Sequence, residues 1–371
     1  MTRKTKLLSR GLRIASFAVC FLLLFSCSRQ PVLETGTESP EDSVSSSEEE
    51  SVFSPAEPEY VPIVDRQDSL YSYEDMYRDI EELAERYPDR FSFESIGKSL
   101  DDRDIPLCRI GDPDATSVLL VSAAIHAREY LTAQLVMLQA EAALHDPELS
   151  LPEGTAVYLI PMCNPDGVSL TQFGAEIIRS EQVRENVLKV YSSDKTNGLV
   201  TSTLDTYFLN WKSNAAGVDL NRNFDILWED LRTGIICPSF GYYKGSSAAS
   251  EPETKALQSF VHTLNTSGKT ILAHVCVHAQ GEVVYWNCGQ PDSLKARTRQ
   301  LALSVSDYLD YKLDSELVHD SSFSDWTALE ENIVSITVEI GHDYCPLPFE
   351  QLEGIYTAHY SLWPFIISAL Q

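Results

Sequence analysis

Positive charge is what this chain has least of. Its 371 residues carry 28 Lys and Arg against 55 Asp and Glu, a formal charge of -27 at pH 7. A protein that neutralises nucleic-acid phosphates needs a basic footprint, and none is present, so nucleic acid is excluded as a partner. Long hydrophobic runs are missing as well: the apolar stretch from Ile14 to Phe25 is too short for a comfortable membrane span. The cysteines past Cys27 are Cys108, Cys163, Cys237, Cys276, Cys288 and Cys345, scattered with no zinc-ribbon or redox spacing. Histidine is scarce, with 8 in all, which shortens any search for metal ligands. There is no internal repeat and no second periodic unit, so a single catalytic domain over about 60–371 is expected, acting as a monomer.

What is present begins with "MTRKTKLLSRGLRIASFAVCFLLLFSCSRQ". A basic start, a short apolar region and Ser26-Cys27 read as a secretory signal over 1–27. The ending "LFSC" resembles a bacterial lipobox, which implies a lipid on Cys27 and an exported, membrane-anchored lipoprotein on the extracytoplasmic surface. An ordinary export signal with an incidental Cys is the alternative. Residues 28–59 are rich in Ser, Glu and Pro and poor in apolar residues. Such a segment cannot bury enough surface to offset its chain entropy, so a disordered tether is expected.

From about Ser69 the pattern turns regular. "LYSYEDMYRDIEELAERYP", "LTAQLVMLQAEAALH" and "SEPETKALQSFVHTL" read as helices, the last with Ser250 and Glu253 at capping-box spacing. "RFSFESIGKSL", "IPLCRIGD", "SVLLVSAAI", "TAVYLIPMC", "KTILAHVCVHAQ", "EVVYWNC" and "VSITVEIG" read as strands, several of them uniformly apolar. "NPDG" reads as the turn closing one of these strands. The alternation predicts an α/β fold, a mixed and largely parallel sheet with helices on both faces. Sites in such sheets gather at the carboxyl ends of strands. The polar clusters fall there: "HARE", "NPDG", "HAQGE", and Glu339 near the end of a fourth strand.

Catalytic zinc takes about three ligands from His, Asp or Glu and keeps one position for water. His126 and Glu129 are close enough in sequence to share one ion as a strand turns into a helix, and His278 ends another apolar strand. His274 lies deeper on the same strand and face, as a core residue or a support for the ligands. His145, His262, His319, His342 and His359 read as surface or capping residues. A ligating His usually donates its other ring N–H to a carboxylate. Asp219 is the candidate for that role, with a turn aspartate as the bland alternative.

At this point the chain resembles the zinc carboxypeptidases related to carboxypeptidase A. "HARE", "NPDG", "GVDLNRNF", "SEPET", "HAQGEVVYW", and "SDW" followed by "VEIG" match that family's motifs in order, from about Tyr71 to the C-terminus. The resemblance is closest to the bacterial branch whose members cut γ-D-glutamyl–diaminopimelate bonds; the family's long prodomain looks absent. It implies a carboxypeptidase fold, one Zn²⁺ held by His126, Glu129 and His278, and Glu339 as the base that takes a proton from water and later delivers it to the leaving amine. It implies that Asn221 and Arg222 bind the substrate's terminal carboxylate, which suits the planar guanidinium fork. Arg128 is either a further substrate-binding residue or a structural ion pair.

The departures from the family are specific. Lys212 stands where the animal enzymes have the arginine that polarises the scissile carbonyl. Leu317 stands at the place of their mobile tyrosine, and Ser324 at the place that sets side-chain preference. Two readings follow. One is an exported zinc metallocarboxypeptidase acting on a peptide or murein peptide with a free carboxylate, the lipid bilayer being its second partner through Cys27; a general scavenging carboxypeptidase is its variant. The other is a non-catalytic binding lipoprotein that kept the fold.

Overall fold

Eight strands form one sheet: β1 (Phe91–Lys98), β2 (Asp104–Gly111), β3 (Ser117–Ala123), β4 (Thr155–Ile160), β5 (Thr270–Ala279), β6 (Val283–Tyr285), β7 (Lys312–Asp314) and β8 (Ser335–Ile340). The computed structural model describes residues 60–371. The expected signal over 1–27, the expected lipid site at Cys27 and the expected tether over 28–59 all fall outside the described residues. The strand order is β1-β2-β4-β3-β5-β8-β6-β7. The centre, β4-β3-β5-β8, is parallel throughout, while β1, β2 and β6 join antiparallel. The expected mixed, largely parallel sheet is what the chain builds.

The helices are α1 (Tyr73–Arg86), α2 (Leu131–His145), α3 (Pro165–Phe173), α4 (Glu181–Thr196), α5 (Leu204–Leu209), α6 (Pro252–Thr266), α7 (Asp292–Leu309), α8 (Phe323–Leu329), α9 (Leu352–His359) and α10 (Leu362–Leu370). They cover both faces of the sheet, which is why β3 and β4 read as unbroken apolar runs. Leu119 and Val121 of β3 pack into the core that holds α1, α2, α7, α9 and α10. Val118 and Leu120 pack into the opposite core with α6 and α8. Burying both faces in this way removes the apolar–polar alternation of a half-exposed strand. No helix among the described residues is long and apolar enough to cross a membrane.

Two local readings are corrected by the fold. "NPDG" is not a plain turn but the start of α3: Asn164 accepts from Gly167 N at 3.0 Å as N-cap, and Pro165 takes the first turn, where its missing N–H costs nothing. Ser250 and Glu253 do not form a capping box; Glu251 is the N-cap of α6 and makes no side-chain cap bond. Ser250 instead donates to the Glu251 carboxylate, and Glu253 is drawn inward to accept from Leu100 N and Asn214 Nδ2. Of the two readings of His359, surface or capping, the capping one holds: it is buried at the end of α9, with Nδ1 on the Ile355 carbonyl of the last turn. His274 is a satisfied core residue, its ring nitrogens bonded to Ser122 and Thr327 hydroxyls. Among the described residues every cysteine is a free thiol.

Candidate metal centre and active site

The end of β3 is shaped so that two polar side chains point the same way. Ala124 takes a positive φ of 49°, and its N–H donates to Thr132 Oγ1 at 3.0 Å. Thr132 Oγ1 in turn donates to the Glu129 carbonyl at 2.7 Å. Cys163 N and Asn164 N donate to the carbonyls of Ala123 and Ala124, and Asn164 Nδ2 donates to the Ile125 carbonyl. His126 is extended, and the single 3₁₀ turn Ala127–Glu129 brings Glu129 back beside it. A strand end tied down this firmly holds its side chains in fixed directions.

His278 arrives from the carboxyl end of β5, and three ligand groups converge. His126 Nδ1 is 2.8 Å from Glu129 Oε1, His278 Nδ1 is 3.1 Å from Glu129 Oε2, and the two Nδ1 atoms are 3.2 Å apart. All three residues are buried, and among the described residues they form the one such group that could hold a metal ion. Tetrahedral ligands at about 2.0–2.1 Å from one centre stand about 3.3 Å from each other, so these separations fit a zinc ion. The donor set, two imidazoles and one carboxylate, fits zinc chemically too. Burial lowers the pKa of His126 although Glu129 and Asp219 act to raise it. Burial also works against the Glu129 carboxylate, but His126 and His278 hold its pKa well below the usual range.

Asp219 lies behind this centre, fully buried, with Oδ1 at 3.3 Å from His126 Nε2. With Nδ1 turned to the metal side, Nε2 is left on the Asp219 side without another partner, and a proton there would let the carboxylate fix the ring's orientation. Asp219 Oδ2 is 3.4 Å from Lys212 Nζ and accepts from Tyr242 N at 3.2 Å. Burial would raise this carboxyl, yet Lys212 and His126 hold it well below its ordinary value.

A cavity of about 650 Å³ opens over the three ligands. Lys212, Asn221, Arg222, Arg128, Ser324 and Glu339 all line it, so the structure brings together every site residue read from the sequence except Asp219, which supports from behind. The β5–β8 register explains Glu339: it is paired directly with His278 across the parallel ladder. Ile336, Val338 and Ile340 face the core with α7, while Thr337 and Glu339 face the cavity. Burial pushes the Glu339 carboxyl up to about 7, with Glu129 adding to the rise and His278 opposing it. Arg128 has no ion pair among the described residues, and its Nε is buried without a partner, so its reading as a structural ion pair finds no support. Leu317 is largely exposed and does not line the cavity.

Other cavity residues escaped the sequence reading. Asp320 stands 3.2 Å from Arg222, and Glu316, Asp325, Asp343 and Tyr344 also line the space. One signal was available: Ser322 and Asp325 form a capping box at the start of α8, and S-x-x-D is legible in "SSFSDW". It would have placed Asp320 at a helix entry beside the cavity. Tyr344 carries no such local signal.

Comparison with known proteins agrees with this geometry. The family model described as zinc carboxypeptidase, Peptidase M14, matches residues 76–360. The chain is 27% identical over 305 residues to the uncharacterized protein YqgT of Bacillus subtilis, covering 79% of this chain and 76% of that protein. It is 27% identical over 302 residues to gamma-D-glutamyl-L-diamino acid endopeptidase 1 of Lysinibacillus sphaericus, covering 77% and 69%. Carboxypeptidase A from Helicoverpa armigera superposes with a TM-score of 0.58 at 19% identity, over 81% of this chain and 72% of that one. Bovine thrombin-activatable fibrinolysis inhibitor superposes with a TM-score of 0.60 at 19% identity, over 81% and 97%. The two structural likenesses show a shared fold; the family match, spanning most of the chain and enclosing His126, Glu129 and His278, shows that this protein belongs to the zinc carboxypeptidases and is a metallocarboxypeptidase.

Proposed function

We propose that this protein is an exported, lipid-anchored zinc carboxypeptidase that hydrolyses cell-wall stem peptides next to a free carboxylate, with Glu339 as general base and acid. The observation that carries the chemistry is the placement of Glu339 directly across from His278, with its carboxyl in the cavity. His126, Glu129 and His278 would hold the zinc, which when bound would act as a Lewis acid and lower the pKa of a water to about 7. Glu339 takes a proton from the attacking water and delivers it to the leaving nitrogen, a role that suits a carboxyl raised to about 7. Lys212 faces the developing oxyanion as a point charge. Arg222 and Asn221 hold the substrate carboxylate, Arg128 adds a second cation on the ligand side, and Ser324 gives the wall a small polar face.

The stem-peptide reading draws support from the Lysinibacillus relative's name and from the signal and lipobox, which would put the enzyme beside the wall. The test offers the zinc-loaded protein a γ-D-glutamyl–diaminopimelate stem peptide and a panel of ordinary peptides ending in L-residues. Products are identified by mass. Cleavage of the stem peptide alone is expected; trimming of the panel would replace this reading with a scavenging carboxypeptidase. Glu339→Gln should lower kcat by about 10²–10⁴-fold while zinc content, measured by atomic absorption, stays the same.

A further inference from the structure

The substrate cavity contains one feature that binding a bare carboxylate does not require. Arg222 Nη2 already has a carboxylate, Asp320 Oδ2, at 3.2 Å. A site that had only to attract a C-terminal carboxylate would be weakened by such a neighbour. Asp320 competes for the guanidinium and repels the incoming anion at close range.

Asp320 also sits on a backbone that is held in place. Its backbone N–H donates to Asp325 Oδ2 at 2.9 Å. The next residue, Ser321, is buried with a positive φ of 51°, and its carbonyl accepts from Phe224 N at 3.1 Å. Phe323 N donates to Asn221 Oδ1 at 3.0 Å. The residues that directly follow Asp320 are therefore bonded twice to the segment carrying Arg222. A non-glycine residue held at positive φ costs energy and persists only where its surroundings impose it. Beyond Arg222 the cavity wall is acidic, with Glu316, Asp325 and Asp343 besides Asp320. Among the described residues no lysine or arginine other than Lys212, Arg128 and Arg222 lines the cavity.

We infer that Arg222 and Asp320 act as a charge-paired reader of a diamino acid: Arg222 takes the carboxylate of the substrate's terminal residue and Asp320 takes a free ammonium on that same residue. The inference rests on the peptidase reading above and makes Asp320 a specificity-determining residue. A terminal residue with both charges satisfies the pair together; one without the ammonium leaves Asp320 facing an anion.

The test compares peptide pairs that differ only by the ammonium: L-Ala-γ-D-Glu linked to diaminopimelate or to 2-aminopimelate, and a dipeptide ending in lysine or norleucine. Zinc-loaded wild type and Asp320→Asn are measured for kcat/KM on each, and for binding by calorimetry. Wild type is expected to favour the ammonium-bearing member of at least one pair by roughly ten- to hundredfold, and Asp320→Asn to lose that ratio, with norleucine or 2-aminopimelate substrates gaining as Arg222 is released. Asp320→Glu, which keeps the charge, should retain part of the preference. A wild-type ratio near one in both pairs overturns the inference. So does a variant in which both members rise together, which would make Asp320 a latch on Arg222, and so does an unchanged ratio, which would make it purely structural. If wild type cleaves none of the four, the peptidase reading fails, and the calorimetric ratio still decides the role of Asp320.

Discussion

Asp219 ties the metal side of the site to its substrate side. One carboxylate oxygen faces His126 Nε2 and the other faces Lys212 Nζ. Asp219→Asn keeps the shape but offers only one acceptor oxygen and no charge. Zinc affinity, read by competition with a chromophoric chelator, should fall about ten- to hundredfold, as it does when a partner of a ligating His is lost. His126→Ala should lose the ion altogether under the same titration. At this scale the sequence was most legible where a residue's role depends on near neighbours in the chain, as with His126 and Glu129, or on a whole strand, as with His278 and Glu339. Asp320 was illegible because its meaning lies in a guanidinium 98 positions away, and no local pattern encodes that pairing.

Among the elements, the start of α3 shows how much one helix terminus can position. Asn164 caps α3 and sends Nδ2 to the carbonyls of Ile125 and Ser213, joining the loop before His126 to the segment of Lys212. A Cβ at Gly167 would sit 2.5 Å from Asn164 Nδ2 and from the Ser213 carbonyl. Gly167→Ala should therefore lower stability in urea by about 1–3 kcal/mol and reduce kcat with it, since the cap cannot hold both loops. An unchanged urea midpoint would show that the contact relaxes freely. Strands β3, β4 and β5 and helix α2 were legible because their burial on all sides writes itself as composition. The beginning of α3 was not, because "NPDG" is equally good turn chemistry; what commits it to helix is tertiary. Asp166 accepts from Ser99 Oγ, Asp101 N and the buried Arg103 guanidinium, and those partners come from the β1–β2 region. The same override misled the Ser250–Glu253 reading: Asn214 and Leu100 supply better partners for Glu253 than its own helix terminus does.

Across the whole molecule, folding stability is set against pH by buried groups of opposite sign. Glu253 is fully buried, and burial, reinforced by Asp166, pushes its pKa up to about 8 from 4.5. The folded chain thus keeps a proton that the unfolded chain releases. Its contribution is complete below about pH 4.5 and is lost as pH rises toward 8. His274 and His359 act in the other direction. Burial lowers them to about 3 and about 4, so their contribution is complete above about 6.5 and is lost as pH falls. Glu253→Gln should flatten the decline on the alkaline side and leave the acid limb in place, as read from urea midpoints between about pH 4.5 and 8. An alkaline limb identical to wild type would move the titration to another group.

The sequence by itself determined the class of protein and its central chemistry. Apolar runs separated by helical periodicity are satisfied by a sheet covered on both faces, and the resemblance carried by the ordered motifs implied His126, Glu129 and His278 as the zinc ligands, which the spacing of His-x-x-Glu alone would not have done. Only the tertiary structure decided which of the many acidic residues face the substrate and which merely hold the scaffold. Asp166 and Asp320 look alike in the chain, yet one is sealed against Arg103 and the other stands in the cavity beside Arg222. A carboxylate's role follows from its desolvation and from the charge it meets, and both are fixed by contacts between residues distant in sequence.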